Sequence, residues 1–328
     1  MSTASVGVTP SPALMPVLRS LVPTLSRLMT LAGVVVLVGL LPWLSGRDPA
    51  LSILRARAGD QNPTSEALDS IRAQLGLDMG PWEKLGHWLW GLLHGDAGAS
   101  WISGGPVLPG MLQATGVSLT LMLAAMLVAL VTTVALCVTA VRRGLMGEPS
   151  PTSGVIGATL TALPEFLLAA ILLVIFAAGL NWLPPYGWSE ARHMVLPALA
   201  LGLPAGGLLG RLFSDGLTAS FSERWVATWH VAGFGQRRIA LAVLKRTLPS
   251  LLPQVGLVIV GLTGGAIAVE QVFSIPGLGR ATLGAASAQD LPALQTGILL
   301  LLAIAVVLGG AAGLGRCLLY TSPSPRDS

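Results

Sequence analysis

Residues 117–141, VSLTLMLAAMLVALVTTVALCVTAV, form an apolar run without one charged side chain. About 20 such residues in a helix cross the ~30 Å hydrocarbon layer of a bilayer, where only a helix or a closed barrel satisfies its own backbone. The run lacks the strict alternation of a barrel strand, so a membrane-spanning helix is expected. Five further stretches are of the same kind: 27–45, 154–180, 194–213, 253–273 and 293–315. Composition agrees, since 10% charged residues, against about 25% in a soluble domain, cannot cover a water-facing surface. The expected fold class is an all-α integral membrane protein with six transmembrane helices. A signal peptide at the first run, after Arg19 and Arg27, is disfavoured because no small-residue cleavage site follows closely.

Lys and Arg in short loops mark the cytoplasmic side. With the N-terminus inside, twelve of the 19 basic residues fall inside, among them Arg142, Arg143, Arg224, Arg237, Arg238, Lys245 and Arg246. Of the seven outside, five share one long loop, which the rule weighs lightly. Both termini are therefore expected in the cytoplasm. The net charge of +4 is sorted by loop and forms no long run, so nucleic acid is not an expected partner. Cys137 and Cys317 show no disulfide or metal-ligand spacing and are read as packing residues. The segments expected are a cytoplasmic 1–26, the first span at 27–45, an outside helical segment at 46–116, and a five-helix core at 117–319. Residues 320–328 are read as a tail foreign to the fold.

The outside segment has two helical patterns. In NPTSEALDSIRAQLGL, Asn62 can cap, Pro63 fits the first helical position, and Leu68, Ile71 and Leu75 share a face. WEKLGHWLWGLL reads as a Trp-rich amphipathic helix suited to the membrane interface, with His87 and His94 on one face. The inside loop, 214–252, carries SERWVATWHVAGFGQRRIALAVLKRTLP. Ser220 and Glu223 have the spacing of a capping box. Trp225, Val226, Trp229 and Ala232 form an apolar face that Gly233 can end. A second helix follows, with Arg237, Arg238, Lys245 and Arg246 on one side and Ile239, Ala240, Val243 and Leu244 on the other; Pro249 is expected to close it. The pair is either a surface patch on lipid phosphates or a docking knob whose anchors are Trp225, Trp229 and Phe234.

Two carboxylates fall within spans, Glu165 after Pro164 and Glu270 in AIAVEQVF. An ionised group at the bilayer centre costs about 2.5–3.5 kcal/mol, so each is expected to face protein or water. Glu270 is either a pathway residue or a hydrogen-bonding anchor for its span; Glu165 is read first as part of a proline kink. Gly202, Gly206 and Gly210, interleaved with Pro197 and Pro204, permit close helix approach, either as static packing or as a sliding seam beside the pathway. Gly261 and Gly265 repeat the spacing. PGLGRATLG, residues 276–284, is read as a tight outside turn. No catalytic set and no P-loop pattern occur, so no enzyme activity, cofactor or metal is expected, and His193 is read as local.

Four stretches bear a family likeness. AGDQNPTSEALDSIRAQLGLD, WLWGLLHGDAGASWISGGPV, ERWVATWHVAGFGQRR and AVEQVFSIPGLGRATLGAASAQDLPALQTG together resemble the inner-membrane permease subunits of binding-protein-dependent ABC importers, in the dipeptide, oligopeptide and nickel branch. The resemblance implies a type I importer permease of MetI-like architecture in the plasma (inner) membrane of a bacterium or archaeon. It further implies a second permease subunit, two cytoplasmic ATPase subunits that bind the ATP, and a periplasmic substrate-binding protein. The third stretch is similar to the family's "EAA" loop, the coupling helix that sits in a cleft of the ATPase. That implies coupling roles for Glu223, Trp225, Thr228, Trp229, His230, Gly233, Phe234 and Arg237. Basic residues usual in the family are replaced here by Ala227, His230 and Ala232. Glu270 matches a glutamate common at its place. The cargo is left open among peptides, nickel, metal chelates and glutathione. The competing readings are a proton-coupled secondary carrier using Glu165 and Glu270, which would show two comparable halves, and a non-transport membrane scaffold.

Overall fold

A computed structural model describes residues 29–41, 65–74, 80–148 and 151–320. The chain divides into two compact units, Met1–Gly104 and Gly105–Ser328. The expected capping pair Asn62–Pro63, the segment 1–26 and residues 321–328 lie outside the described residues, as do the flanks of the first apolar run.

The described part of the first unit holds three helices: α1 (Met29–Gly39), α2 (Ser65–Gln74) and α3 (Pro81–Leu93). α1 is apolar, and its described length is short of a span. Pro81 occupies the first turn of α3, where a missing N–H costs nothing. Leu85 of α3 is buried, and α1 meets this face at Gly39, where a Cβ would overlap Leu85 and lie 3.1 Å from Trp88. The other face of α3 exposes Trp82, Trp90 and Leu93. Lys84 lies 5.3 Å from the Trp101 ring centroid, and burial lowers its ammonium pKa from the ordinary lysine value.

The second unit is a helical bundle. Its elements are α4 (Val107–Leu145), α5 (Pro151–Ala162), α6 (Glu165–Leu172, continuing as a π-helical turn to Gly179), α7 (Arg192–Phe221), α8 (Arg224–Val231), α9 (Gln236–Val272), α10 (Leu278–Ser287) and α11 (Leu291–Tyr320). Among the described residues four helices are long and apolar enough to cross a membrane: α4, α7, Leu251–Val272 of α9 and Leu291–Ala311 of α11. The pair Gly154–Ala162 and Glu165–Gly179 would make a fifth, but it bends by 86° at Leu163–Pro164. The span expected over 154–180, with its proline kink, is broken there by far more than a kink. Pro164 has no N–H for an i→i−4 bond and stands as the N-cap of α6 in extended ψ.

Three other boundaries move. α4 starts at Val107, so residues 107–116 belong to the bundle and not to the segment before it; at 39 residues it is roughly 58 Å long. α7 runs on past 213 to Phe221, and α9 passes through Pro249 and Pro253 without ending. The loop expected over 214–252 thus shrinks to the short elements between Phe221 and Gln236. PGLGRATLG is not a turn: from Leu278 onward it is α10.

The core forms where small residues let backbones meet. α4 buries Ala114, Ala125, Ala129 and Ala140 at helical spacing. Opposite them stand Gly202, Gly206 and Gly210 of α7. A Cβ on Gly206 would lie 2.7 Å from Thr132 Cβ and 2.8 Å from the Ala129 carbonyl oxygen. Thr133 Oγ1 donates to the Gly206 carbonyl at 3.3 Å across the same seam. Gly157 of α5 and Gly207 of α7 form a second seam, 2.8 Å from a Gly157 Cβ to the Gly207 carbonyl. Gly261, in contrast, has open space before it. Overpacking of this kind costs about 1–3 kcal/mol. Gly206→Ala is thus expected to lower the midpoint of thermal unfolding in detergent by several degrees, whereas Gly261→Ala is expected to leave it within about a degree.

Candidate functional site

The polar knob is the segment 222–235 with the helix ends that carry it. Ser220 is still inside α7, so the expected capping box does not form. Its hydroxyl donates to Thr247 Oγ1 of α9 at 2.7 Å, since the Thr247 proton goes to the Val243 carbonyl. Glu223 is the N-cap of α8 without a side-chain cap bond. Its carboxylate instead accepts from Trp225 Nε1 at 2.8 Å and from Arg246 of α9 at 3.0 Å. Gly233, at φ +79, ends α8. The Phe234 N–H reaches the Trp229 carbonyl and the Gly233 N–H the His230 carbonyl, the paired bonds of a Schellman stop, and the Phe234 ring stacks on Trp229 at 4.8 Å.

This geometry reassigns the expected anchors. Trp225, Trp229 and Phe234 pack inward, around a small core of Leu217, Val226, Ile239 and Val243. Trp225 meets Trp229 edge to face at 5.3 Å, and Arg238 covers Phe234 at 4.9 Å. The aromatic side chains hold the knob on α7 and α9. What the knob presents outward is Ala227, Thr228, His230, Val231, Ala232 and Gly233, with Val231 92% exposed. Arg237 and Lys245 are exposed beside it, while Ile239 and Val243 are fully buried, as the two-sided pattern of the second helix predicts. Val231 was not singled out in the sequence; the signal was its place one turn beyond Ala227, on the side opposite Val226.

At the other end of α9 the site is a pin. Glu270 is 1% exposed. Its carboxylate accepts from Ser118 Oγ of α4 at 2.5 Å and from the Arg280 N–H at 3.0 Å, and the Gly279 N–H bonds it too. The Ser118 oxygen in turn accepts from the Leu278 N–H at 2.8 Å. The first N–H groups of α10, which have no partner within their own helix, are thus capped by a carboxylate from α9 and a hydroxyl from α4. Gly277 makes the approach possible, because a Cβ there would overlap the Glu270 carboxylate. Glu270 therefore takes the hydrogen-bonding role of the two expected for it.

Glu165 departs from its expected role. It sits in the first turn of α6, half buried. A Cβ on Gly265 of α9 would lie 3.4 Å from its Oε1. The bend itself is made by Pro164, whose carbonyl accepts from the Leu167 and Leu168 N–H groups. No hydrogen bond of the Glu165 carboxylate takes part. His94 is the C-cap of α3, its Nδ1 2.8 Å from the Trp90 carbonyl. Among the described residues no group of three His, Cys, Asp or Glu could hold a metal ion.

Residues 152–314 match the family model described as "Binding-protein-dependent transport system inner membrane component". A Brucella abortus (strain 2308) protein named as a peptide transport system permease is 30% identical over 306 residues, covering 89% of this chain and 93% of the relative. The glutathione transport system permease protein GsiC of Escherichia coli (strain K12) is 30% identical over 278 residues, covering 84% and 89%.

Proposed function

The chain belongs to the family of binding-protein-dependent transport system inner membrane components and is an ABC importer permease subunit; from that premise we propose that it passes small peptides, delivered by a periplasmic binding protein, into the cytoplasm. The relatives' names favour peptides, glutathione among them, over nickel or a metal chelate. In this reading the chain forms six spans with both termini inside and pairs with a second permease. The ATP is hydrolysed on two partner ATPases, consistent with the lack of a P-loop pattern in the chain.

The observation that carries the reading is the continuity of α9. This one helix holds the knob near its start, through the Glu223–Arg246 pair and the cluster around Ile239 and Val243. It ends at the Glu270 pin. Its 37 residues span roughly 55 Å, more than the ~30 Å hydrocarbon layer. Force applied to α8 by a closing ATPase would tilt α9 as a lever and move α10 at the outer mouth. The Gly202–Gly206–Gly210 seam would keep α7 and α4 moving together.

The test is reconstitution of the chain in proteoliposomes with a second permease, ATPases and a binding protein from the same source. ATP-dependent accumulation of a peptide is the expected result. Uptake driven by a proton gradient with no ATPase present would sink the proposal.

A further inference from the structure

The 86° bend between α5 and α6 opens a cavity of about 490 Å³ against α7 and α9. Its walls include Pro164, Pro204, Leu208, Val258 and Gly261. The α9 wall, Leu257–Leu262, is the middle of the membrane-crossing part Leu251–Val272, and Pro204 lies near the middle of α7. The cavity therefore sits at the midplane. Among the described residues lining it only Glu165 is charged.

No described residue donates a hydrogen bond to that carboxylate or pairs with it. Glu270, by contrast, is fully supplied with donors. An ionisable group held at membrane depth without a protein partner marks a path for something that supplies the partner, and broken helices at the midplane are where transporters build such sites. The cavity volume falls in the range of small-molecule pockets, about 300–1,000 Å³. Apolar walls with one carboxylate suit a ligand of variable body and one fixed cationic group.

We infer that Glu165 receives the free ammonium group of the peptide as it crosses the midplane. The ligand class rests on the peptide reading above. A peptide's α-amino group has a pKa of about 7.7–8.0 and is largely protonated at neutral pH, and an ammonium–carboxylate hydrogen bond is about twice as strong as a neutral one. Gly261, with open space before it, leaves room in the cavity, and the walls ask nothing of the peptide's side chains.

The test compares wild type with Glu165→Gln in the reconstituted transporter, given a pool of two- to five-residue peptides of which half are N-formylated. Accumulation of free-amine members is expected to fall at least tenfold in the variant. N-formyl members, and ATP hydrolysis, are expected to stay within twofold. Equal loss of both classes, or no loss, overturns the inference. If wild type accumulates no peptide, the cargo reading fails instead, and a second measurement decides the site. Dicyclohexylcarbodiimide labelling read by mass spectrometry is expected at Glu165 and not at Glu270, and n-butylammonium but not n-butanol is expected to slow it several-fold. A Glu165 unreactive in the assembled transporter, as when a cation of the second permease covers it, or labelled equally fast with either compound, overturns the assignment.

Discussion

Glu270→Leu is expected to destabilise the permease by about 3–5 kcal/mol. The change keeps a side chain of similar size but removes an acceptor that serves Ser118 and the Gly279 and Arg280 N–H groups. Each buried donor left without a partner costs about 1–3 kcal/mol, and there are at least two backbone donors with nowhere else to turn. Glu270→Gln keeps one carbonyl oxygen in place and gives up only the charge-assisted part of the bonds, so about 1–2 kcal/mol is expected. Thermal unfolding in detergent would show the order: roughly 6–15 °C lost for Leu and a few degrees for Gln. Gly277→Ala is expected to resemble Leu more than Gln, because its Cβ must displace the same carboxylate. Equal, small shifts for all three would mean that α10 is held by its apolar contacts, Leu278 above all, and not by the pin.

Four of the six expected spans, those of α4, α7, α9 and α11, were legible in the apolar runs because a bilayer imposes one period and one minimum length. Their ends were not. α9 continues through Pro249 and Pro253 where a proline pattern predicts a stop, and α7 continues through Ser220 where a capping pattern predicts a start. In both cases tertiary contacts override the local signal: Ser220 and Thr247 satisfy each other across two helices, leaving no free hydroxyl to cap. The stop at Gly233 was legible because its signal is wholly local, a glycine at φ +79 followed by an aromatic that returns to Trp229. The equivalent stop after α9 was hidden, since Ser274 stands at φ 53 where glycine is the usual occupant. The two carboxylates exchanged expected emphasis for a similar reason. Glu270 shows its function only once Ser118 and α10 are brought to it from 152 and about ten residues away. Glu165 sits beside its proline in sequence, yet the bend needs nothing from it. The inward packing of the three expected anchors was not legible, because large aromatics mark an apolar face without saying which surface that face covers.

That inward packing sets up the second large effect. Val231→Asp is expected to cut ATP-dependent uptake by about 100-fold while leaving the unfolding midpoint unchanged. Val231 is 92% exposed and touches none of the knob core, so the folded chain does not depend on it. In the proposed complex it would be buried against the ATPase. Burying a valine contributes about 1.5–3 kcal/mol, and an unpaired charge forced into the same contact turns that gain into a penalty of several kcal/mol. At 1.4 kcal/mol per tenfold, two to three powers of ten in docking are at stake. Val231→Ala should lose only about fivefold. Trp229→Asp should behave differently: it puts a charge between Trp225 and Phe234, so the knob loosens and the unfolding midpoint falls along with transport. Gly233→Ala has open space for its Cβ and is limited to the left-handed strain of about 1–2 kcal/mol, an intermediate defect in both readouts. ATPase co-purification and uptake measured on the same four variants separate the two roles. Uptake lost without a change in melting belongs to the docking surface, and uptake lost in proportion to melting belongs to the core beneath it. Should Val231→Asp transport at the wild-type rate, the exposed tip of α8 is not where the partner's motion enters.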